Sequence, residues 1–469
     1  MKWLPKLRFS MRTLFIIVTL LCVLLVPLSV KLYQARQQRL AVEWVLANGG
    51  SVHYDYQEDE YGYFHSSDPA DNLWLRSVLG NDFFDEVVEV GFENLTVTDI
   101  SQLTHLQSIE TVVLVDPQNV DLSPLGSLKN LDSLDITFSS EKSYTAKNME
   151  ELSKLDCSLN ILLHGQLIDD LTPVQQLNNI RELELIHTEV NDLSPLSDLM
   201  QLELLDIDGA NVTDLTPLAK LINLRVLKLD TLEAKDLSPL SDLTQLEELH
   251  IVGSGFTDIT PLAKLVKLRD LRLVGPPVAF SPNSLKGPNI TDLMPLTKLV
   301  NLRELRLYDL KTKDLSPLEN LVNLEELHIH GANITDLTPL AKLINLRDLW
   351  LEAPKANDLA ALAKLVNLRE LWLYDAKAKD LAPLENLVKI EYMQIVDGNV
   401  TDLTPLAKLI NLRELSLETP KANDLGPLYQ LSNLKELYLE YGGMPVPKEE
   451  IGKLKKALPN CYVKATSFD

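Results

Sequence analysis

Residues 224–246 read LRVLKLDTLEAKDLSPLSDLTQL, and two apolar spacings meet inside them. Leu227 and Leu229 alternate with the charged Lys228, the two-residue period of a strand with one face turned inward. Leu237, Leu240 and Leu243 follow at helical spacing and mark one side of a short turn. Ser238-Pro239 stands where that turn begins: a hydroxyl caps an orphan N–H, and proline loses nothing at the next position, where an N–H has no partner. Thr216-Pro217, Thr338-Pro339 and Thr404-Pro405 repeat the signal. Asn223, Asn345 and Asn411 stand at the far end, where a left-handed residue would stop the turn.

The unit recurs. An Asp-Leu or Asp-Ile marker falls at Asp170, Asp192, Asp214, Asp236 and Asp258, then at Asp292, Asp314, Asp336, Asp358, Asp380, Asp402 and Asp424, every step within each run being 22. Asp99 and Asp121 are also 22 apart, and Asn148 holds the same place in a degenerate coil, which makes fifteen coils. Steps of 27, from Asp121 to Asn148, and 34, from Asp258 to Asp292, carry inserts of five and twelve residues. The second includes GPPVAFSPNSLKG, residues 275–287; such inserts tend to emerge on a binding face. One coil cannot bury its own leucines, but stacked coils close a continuous core, with strands about 4.8 Å apart. The pattern predicts an α/β solenoid: a curved right-handed coil with a parallel concave β-sheet and short 3-10 or α turns on the convex side.

Composition agrees with an aliphatic core, since 45% of the 469 residues are apolar and only 6% aromatic. Net charge is -23, and along the chain basic residues are interspersed with acids, so nucleic acid is not expected as a partner. Cys22, Cys157 and Cys461 lie far apart, without zinc or disulfide spacing. No Gly-rich phosphate loop, nucleophile elbow or H-E-x-x-H occurs, so neither an enzyme nor a cofactor is expected. The N-x-[ST] triplets at Asn94, Asn211, Asn289, Asn333 and Asn399 mostly follow from the repeat consensus rather than from glycosylation.

Residues 13–30, TLFIIVTLLCVLLVPLSV, hold no charge and at about 1.5 Å per residue match the hydrocarbon thickness of a bilayer. They are too long for a usual signal-peptide core, and no small-residue cleavage site precedes Lys31. Four basic residues before the span (Lys2, Lys6, Arg8, Arg12) against three after it (Lys31, Arg36, Arg39) place the N-terminus in the cytoplasm and the repeats outside it, in the periplasm or at the cell surface. The expected organisation is a basic cytoplasmic segment 1–12, a transmembrane signal anchor 13–30, a juxtamembrane helix and N-terminal cap 31–86, the solenoid 87–440 and a C-terminal capping helix and strand 441–469. A helix is expected at residues 34–48, closed by Gly49-Gly50, followed by an aromatic, acidic segment to Asp71.

L-x-x-L-x-[LI], then D-L-[ST]-P-L-x-x-L, resembles the bacterial internalin-type class of 22-residue leucine-rich repeats over residues 87–440. The chain departs from that family after the strand, where Ala210, Leu232, Ser254, Leu310, Ala332, Pro354 and Ala376 replace an asparagine ladder. The basic start, the MRTLFII span, Gly49-Gly50 and the stretch Val52-His53-Tyr54-Asp55-Tyr56 also resemble membrane-anchored repeat proteins of planctomycete-like bacteria. That resemblance implies protein binding and brings no catalytic residues.

In strand register, the central outward position runs Glu184, Asp206, Lys228, His250, Arg272, Arg306, His328, Trp350, Trp372, Gln394, Ser416 and Tyr438. Two residues later come Tyr308, His330, Glu352 and Tyr374. Aromatic and arginine side chains bury much area for little lost rotamer freedom, so Arg306, Tyr308, His328, His330, Trp350, Glu352, Trp372 and Tyr374 form the candidate ligand patch. Free drift at positions the fold leaves open is the competing explanation. His328-x-His330 with Asp309 or Glu352 would supply a metal's first ligands, although no second shell is legible and no metal is expected. The expected function is a non-enzymatic, membrane-anchored scaffold that binds a protein partner on its concave face near residues 302–395. A cell-wall polysaccharide binder stacking sugars on Trp350 and Trp372, or a purely structural envelope element, is the alternative.

Overall fold

A computed structural model describes residues 11–57, 69, 73–93, 97–117, 120–139, 144–209, 212–253, 255–275, 288–308, 310–331, 334–352, 356, 358–374, 379–396, 400–418, 424–440 and 448–465. The basic residues before Arg12, the insert 276–287, Asp309 and the after-strand positions Ala210, Ser254, Ala332, Pro354 and Ala376 lie outside them. The chain divides into two compact units, Met1–His164 with Gln176–Arg181, and Gly165–Gln175 with Glu182–Asp469.

In the first unit one helix, α1 (Met11–Ala47), replaces the separate anchor and juxtamembrane helices expected from the sequence. Only Pro27 interrupts its hydrogen bonding, and the charges after residue 30 do not stop a helix. Its two halves differ in surroundings. Phe15, Val23 and Leu24 are exposed, whereas Ala35, Ala41, Val42 and Val45 are buried. The chain then turns at Gly49, whose φ of 77° favours glycine, into strand β1 (Gly50–Tyr54). The sequence reading gave this stretch no strand. β1 runs antiparallel to β2 (Val87–Phe92) and covers its open edge. The approach is close: a Cβ on Gly50 would lie 2.7 Å from Val45 and 2.8 Å from Phe92. Between them α2 (Leu73–Leu79) carries Arg76, buried against Asp85 in a bidentate ion pair and set over the Phe84 ring at 5.0 Å. Gln38 of α1 donates to the Asp85 carbonyl at 2.9 Å and Arg39 reaches Asp82, so α1 is bonded into this cap. From β2 the parallel strands β3 (Thr111–Val115), β4 (Ser133–Phe138) and β5 (Ser158–His164) follow, with α3 (Ala146–Leu152) in the degenerate coil.

The second unit repeats one coil. Its strands are β6 (Ile180–Ile186), β7 (Leu204–Asp208), β8 (Val226–Leu232), β9 (Glu248–Gly253), β10 (Asp270–Val274), β11 (Glu304–Leu307) and β12 (Glu326–Ile329). β13 (Asp348–Glu352), β14 (Glu370–Tyr374), β15 (Tyr392–Ile395), β16 (Glu414–Glu418), β17 (Glu436–Glu440) and β18 (Tyr462–Ala465) complete it. From β6 on, each strand is parallel to the next. The helix α4 (Lys448–Ala457) precedes the last strand and buries Leu454.

The connecting turns are 3-10 helices, and the leucine spacing explains why. Leu215, Leu218, Leu221 and Leu224 are three apart and all at most 1% exposed. Three residues per turn puts them above one another on a 3-10 helix, while an α-helix would rotate them away. The bonds agree: the N–H of Leu218, Leu221 and Leu224 each donate to the carbonyl three residues back at 2.9–3.0 Å.

Two local expectations are corrected. The Ser or Thr before proline is not the cap, because it is the first residue of the 3-10 helix. The marker aspartate, two residues earlier, accepts its N–H instead, at 2.8 Å in Asp214–Thr216, Asp336–Thr338 and Asp402–Thr404. The threonine hydroxyl, and then this N–H, hold these carboxyls below the usual aspartate range. The asparagines are not left-handed stops either. Among the described residues only Asp116, His187 and Asn289 combine a side chain with positive φ. Asn223, Asn345 and Asn411 instead donate their side-chain N–H to the carbonyls of Met200, Val322 and Val388 in the preceding coil, at 2.7–2.8 Å. An asparagine ladder therefore exists, placed before the strand rather than after it. Beside it an aliphatic side chain stays outside the core in many coils, including Ile222, Val300, Ile344 and Ile410.

Leu340 is wholly buried and Ile344, one turn on, is 52% exposed. Leu340→Ala is expected to cost about 2–5 kcal/mol in urea denaturation, and Ile344→Ala no more than about 0.5. Equal losses would show that the outer aliphatic row is covered in solution.

Candidate functional site

The strand register of the second unit lines up the outward side chains in rows. Arg272 faces Arg306, then His328, Trp350, Trp372, Gln394, Ser416 and Tyr438 in successive strands. Inward neighbours such as Leu349, Leu351, Leu371 and Leu373 are buried, so their packing holds the outward side chains in place.

The rings of the candidate patch stack on one another. Trp350 and Trp372 lie with centroids 5.7 Å apart and planes 19° from parallel, and Tyr374 packs on Trp350 at 5.4 Å and 19°. His328 leans on the other side of Trp350, at 5.6 Å and 47°. Tyr308 and His330 form a second stack, 5.4 Å and 15°. His330 Nε2 lies 2.9 Å from Glu352, whose carboxylate also accepts the Gly331 N–H, and the His330 contact comes first in holding the Glu352 carboxyl below its usual range. The Tyr374 hydroxyl donates to Gln394 at 3.3 Å.

His328 and His330 do not converge on one another's ligands. His330 pairs with Glu352, whereas His328 Nε2 faces Glu326 and Asp348, each at 3.4 Å. Arg306 also hydrogen-bonds to Glu326.

A row absent from the sequence reading lies two residues before the central one. Glu248, Asp270, Glu304, Glu326, Asp348 and Glu370 stand side by side, Tyr392 interrupts, and Glu414 and Glu436 continue. The 22-residue step that aligned the central row finds this one too. Its charge is compensated unevenly. In the earlier coils, basic side chains of the central row sit against it: His250 lies 2.9 Å from Asp270, and Arg272 lies 2.8 Å from Asp270 and 3.0 Å from Glu304. From Trp350 on, the central row offers Trp350, Trp372, Gln394, Ser416 and Tyr438, which bring no positive charge. Burial, and then the neighbouring Asp348 charge, push the Glu370 carboxyl up; burial and Glu436 do the same at Glu414.

Basic residues that are scattered along the sequence also gather. Lys267, Arg269, Arg303, Arg347, Arg369 and Lys389 line a groove of about 790 Å³ at the strand entrances, with Glu247 and Glu325 between them. The expectation that basic residues are not clustered holds along the sequence but not in space, because the repeat stacks residues far apart in sequence.

Comparison with known proteins follows this geometry. A family model described as Leucine Rich repeats (2 copies) matches residues 300–342. No curated protein matches the chain. An internalin from Listeria monocytogenes is similar in structure, at TM-score 0.59 and 25% identity, covering 69% of this chain and 90% of its own. A leucine-rich-repeat protein of Leptospira interrogans, also at TM-score 0.59, is 20% identical and covers 80% and 99%. The leucine-rich-repeat ectodomain of the Arabidopsis receptor kinase HAESA, solved with a peptide hormone ligand, gives TM-score 0.58 at 14% identity, covering 92% of this chain and 78% of its own. The chain therefore has the leucine-rich-repeat solenoid fold and is similar to internalins.

Because its folded-state pKa is raised, Glu370 begins to oppose folding as pH rises through the unfolded value, opposes it fully above the folded value, and opposes nothing where it is protonated in both states. Glu370→Gln is expected to raise the melting temperature at pH 7, and the gain should vanish below about pH 4, where glutamate is protonated even when unfolded. A gain that does not depend on pH would exclude the electrostatic explanation.

Proposed function

We propose that this chain is a non-enzymatic, membrane-anchored scaffold that holds a protein partner against the outward strand face around Trp350, Trp372 and Tyr374, and that the partner presents basic side chains. The observation that carries the reading is the joining of a stacked aromatic column to an acidic row that, among the described residues, no lysine or arginine pairs from Asp348 onward. Rings and carboxylates together suit lysine or arginine, through charge pairing and cation–π contact. The net charge of -23 would draw such a partner in. Arg306, Tyr308, His328, His330 and Glu352 border the same surface.

The anchor in this reading is the first part of α1, apolar enough to cross a membrane and unburied in the structure. The N-terminus then faces the cytoplasm and the repeats lie outside it.

The full-length chain in lipid nanodiscs, used as bait in an envelope extract beside a folded variant with Trp350, Trp372 and Tyr374 all changed to Ala, tests this. A retained polypeptide should lose at least about thirtyfold in affinity, as hot-spot truncations of ~2 kcal/mol do. It should also bind more weakly as salt rises. Equal retention by both baits would move the site elsewhere, and sedimentation with insoluble polysaccharide instead would favour the wall-binding reading.

A further inference from the structure

The outward face carries a second chemical feature, independent of any protein partner. His328 is 9% exposed, and its Nε2, which has no accessible surface, has no hydrogen-bond partner. It points between two carboxylates from adjacent strands, with Glu326 Oε1 and Asp348 Oδ2 each 3.4 Å away. Asp348 Oδ1 is likewise buried without a hydrogen-bond partner. Buried polar atoms left unmatched cost free energy, so two such atoms on neighbouring strands need an explanation.

We infer that Glu326, His328 and Asp348 form a site for a divalent transition-metal ion of the zinc class. The spacing is the main argument. A tetrahedral ion with bonds of about 2.0–2.1 Å to nitrogen and oxygen holds its ligand atoms roughly 3.3–3.4 Å from one another. Both distances from His328 have this length, and all three ligand atoms lie within 4.8 Å of one another. One imidazole with two carboxylates suits zinc, cobalt(II), iron(II) or manganese(II) better than calcium, which prefers a larger set of oxygens. The strand register supplies the arrangement: Glu326 and His328 are two apart on one strand, and Asp348 stands opposite Glu326 on the next. Arg306 hydrogen-bonds to the same Glu326 Oε1, so a bound ion would share that carboxylate with the guanidinium. Three protein ligands leave one coordination position open, beside Trp350. The site is distinct from the histidine pair considered in the sequence, since His330 is taken by Glu352.

Cobalt(II) added to the full-length protein in detergent should give visible ligand-field bands of a tetrahedral centre at one ion per chain, and zinc should displace them. His328→Ala should abolish the bands. Asp348→Asn, nearly isosteric, should abolish or weaken them with the fold intact by circular dichroism. His330→Ala should keep them. No uptake of cobalt or zinc at millimolar metal, or uptake that survives both His328→Ala and Asp348→Asn, would overturn the assignment.

Discussion

Every coil of this molecule carries leucines that it cannot bury by itself, and that deficit organises the rest. Leu215, Leu218, Leu221 and Leu224 in the turn, with Leu227 and Leu229 in the strand, are all 1% exposed or less only because a neighbouring coil lies on either side. Apolar burial has no direction, so the stacking alone does not set the register. The register comes from directional bonds between coils: the strand ladder and the side-chain N–H of Asn345 on the Val322 carbonyl. Hydrophobic contact brings coils together, and these bonds decide which residue meets which.

Legibility followed that division. A period of 22 makes a residue's neighbour in the next strand a matter of counting, so the row from Arg272 to Tyr438 could be written down before any coordinates. The same count would have found the acidic row, had the position two residues earlier been followed. Local chemistry was harder to assign. Asp214 and Thr216 both suit a cap, and only the 3-10 geometry decides that the aspartate acts and the threonine donates. Asn223 looked like a stop because its partner, the Met200 carbonyl, is 23 residues away in sequence. The anchor and the helix after it join as one, α1, since the change from apolar to polar residues along it does not end a helix.

Within the candidate site, ring contacts and charge pairs were beyond sequence reading for a different reason. Two tryptophans in one row can lie side by side or face to face, and the choice depends on rotamers. The electrostatic step at Trp350 likewise depends on which cations reach which carboxylates. Arg272 spans from Asp270 to Glu304, while Trp372 brings only a polar N–H toward Glu370. Identical backbone positions thus carry a neutralised surface in the earlier coils and an acidic, aromatic one in the later coils.

The long step between Asp258 and Asp292 has a consequence of another kind. Thirty-four residues separate Arg272 from Arg306, yet the two stand opposite one another as if the step were 22. Phase is counted in coils rather than residues. Turn length can drift over evolutionary time without turning a single facing side chain out of line, and in-frame duplication of one unit would extend the apolar, acidic and central rows together. Such a protein can change its reach by recombination and its specificity by point substitution, with little interference between the two.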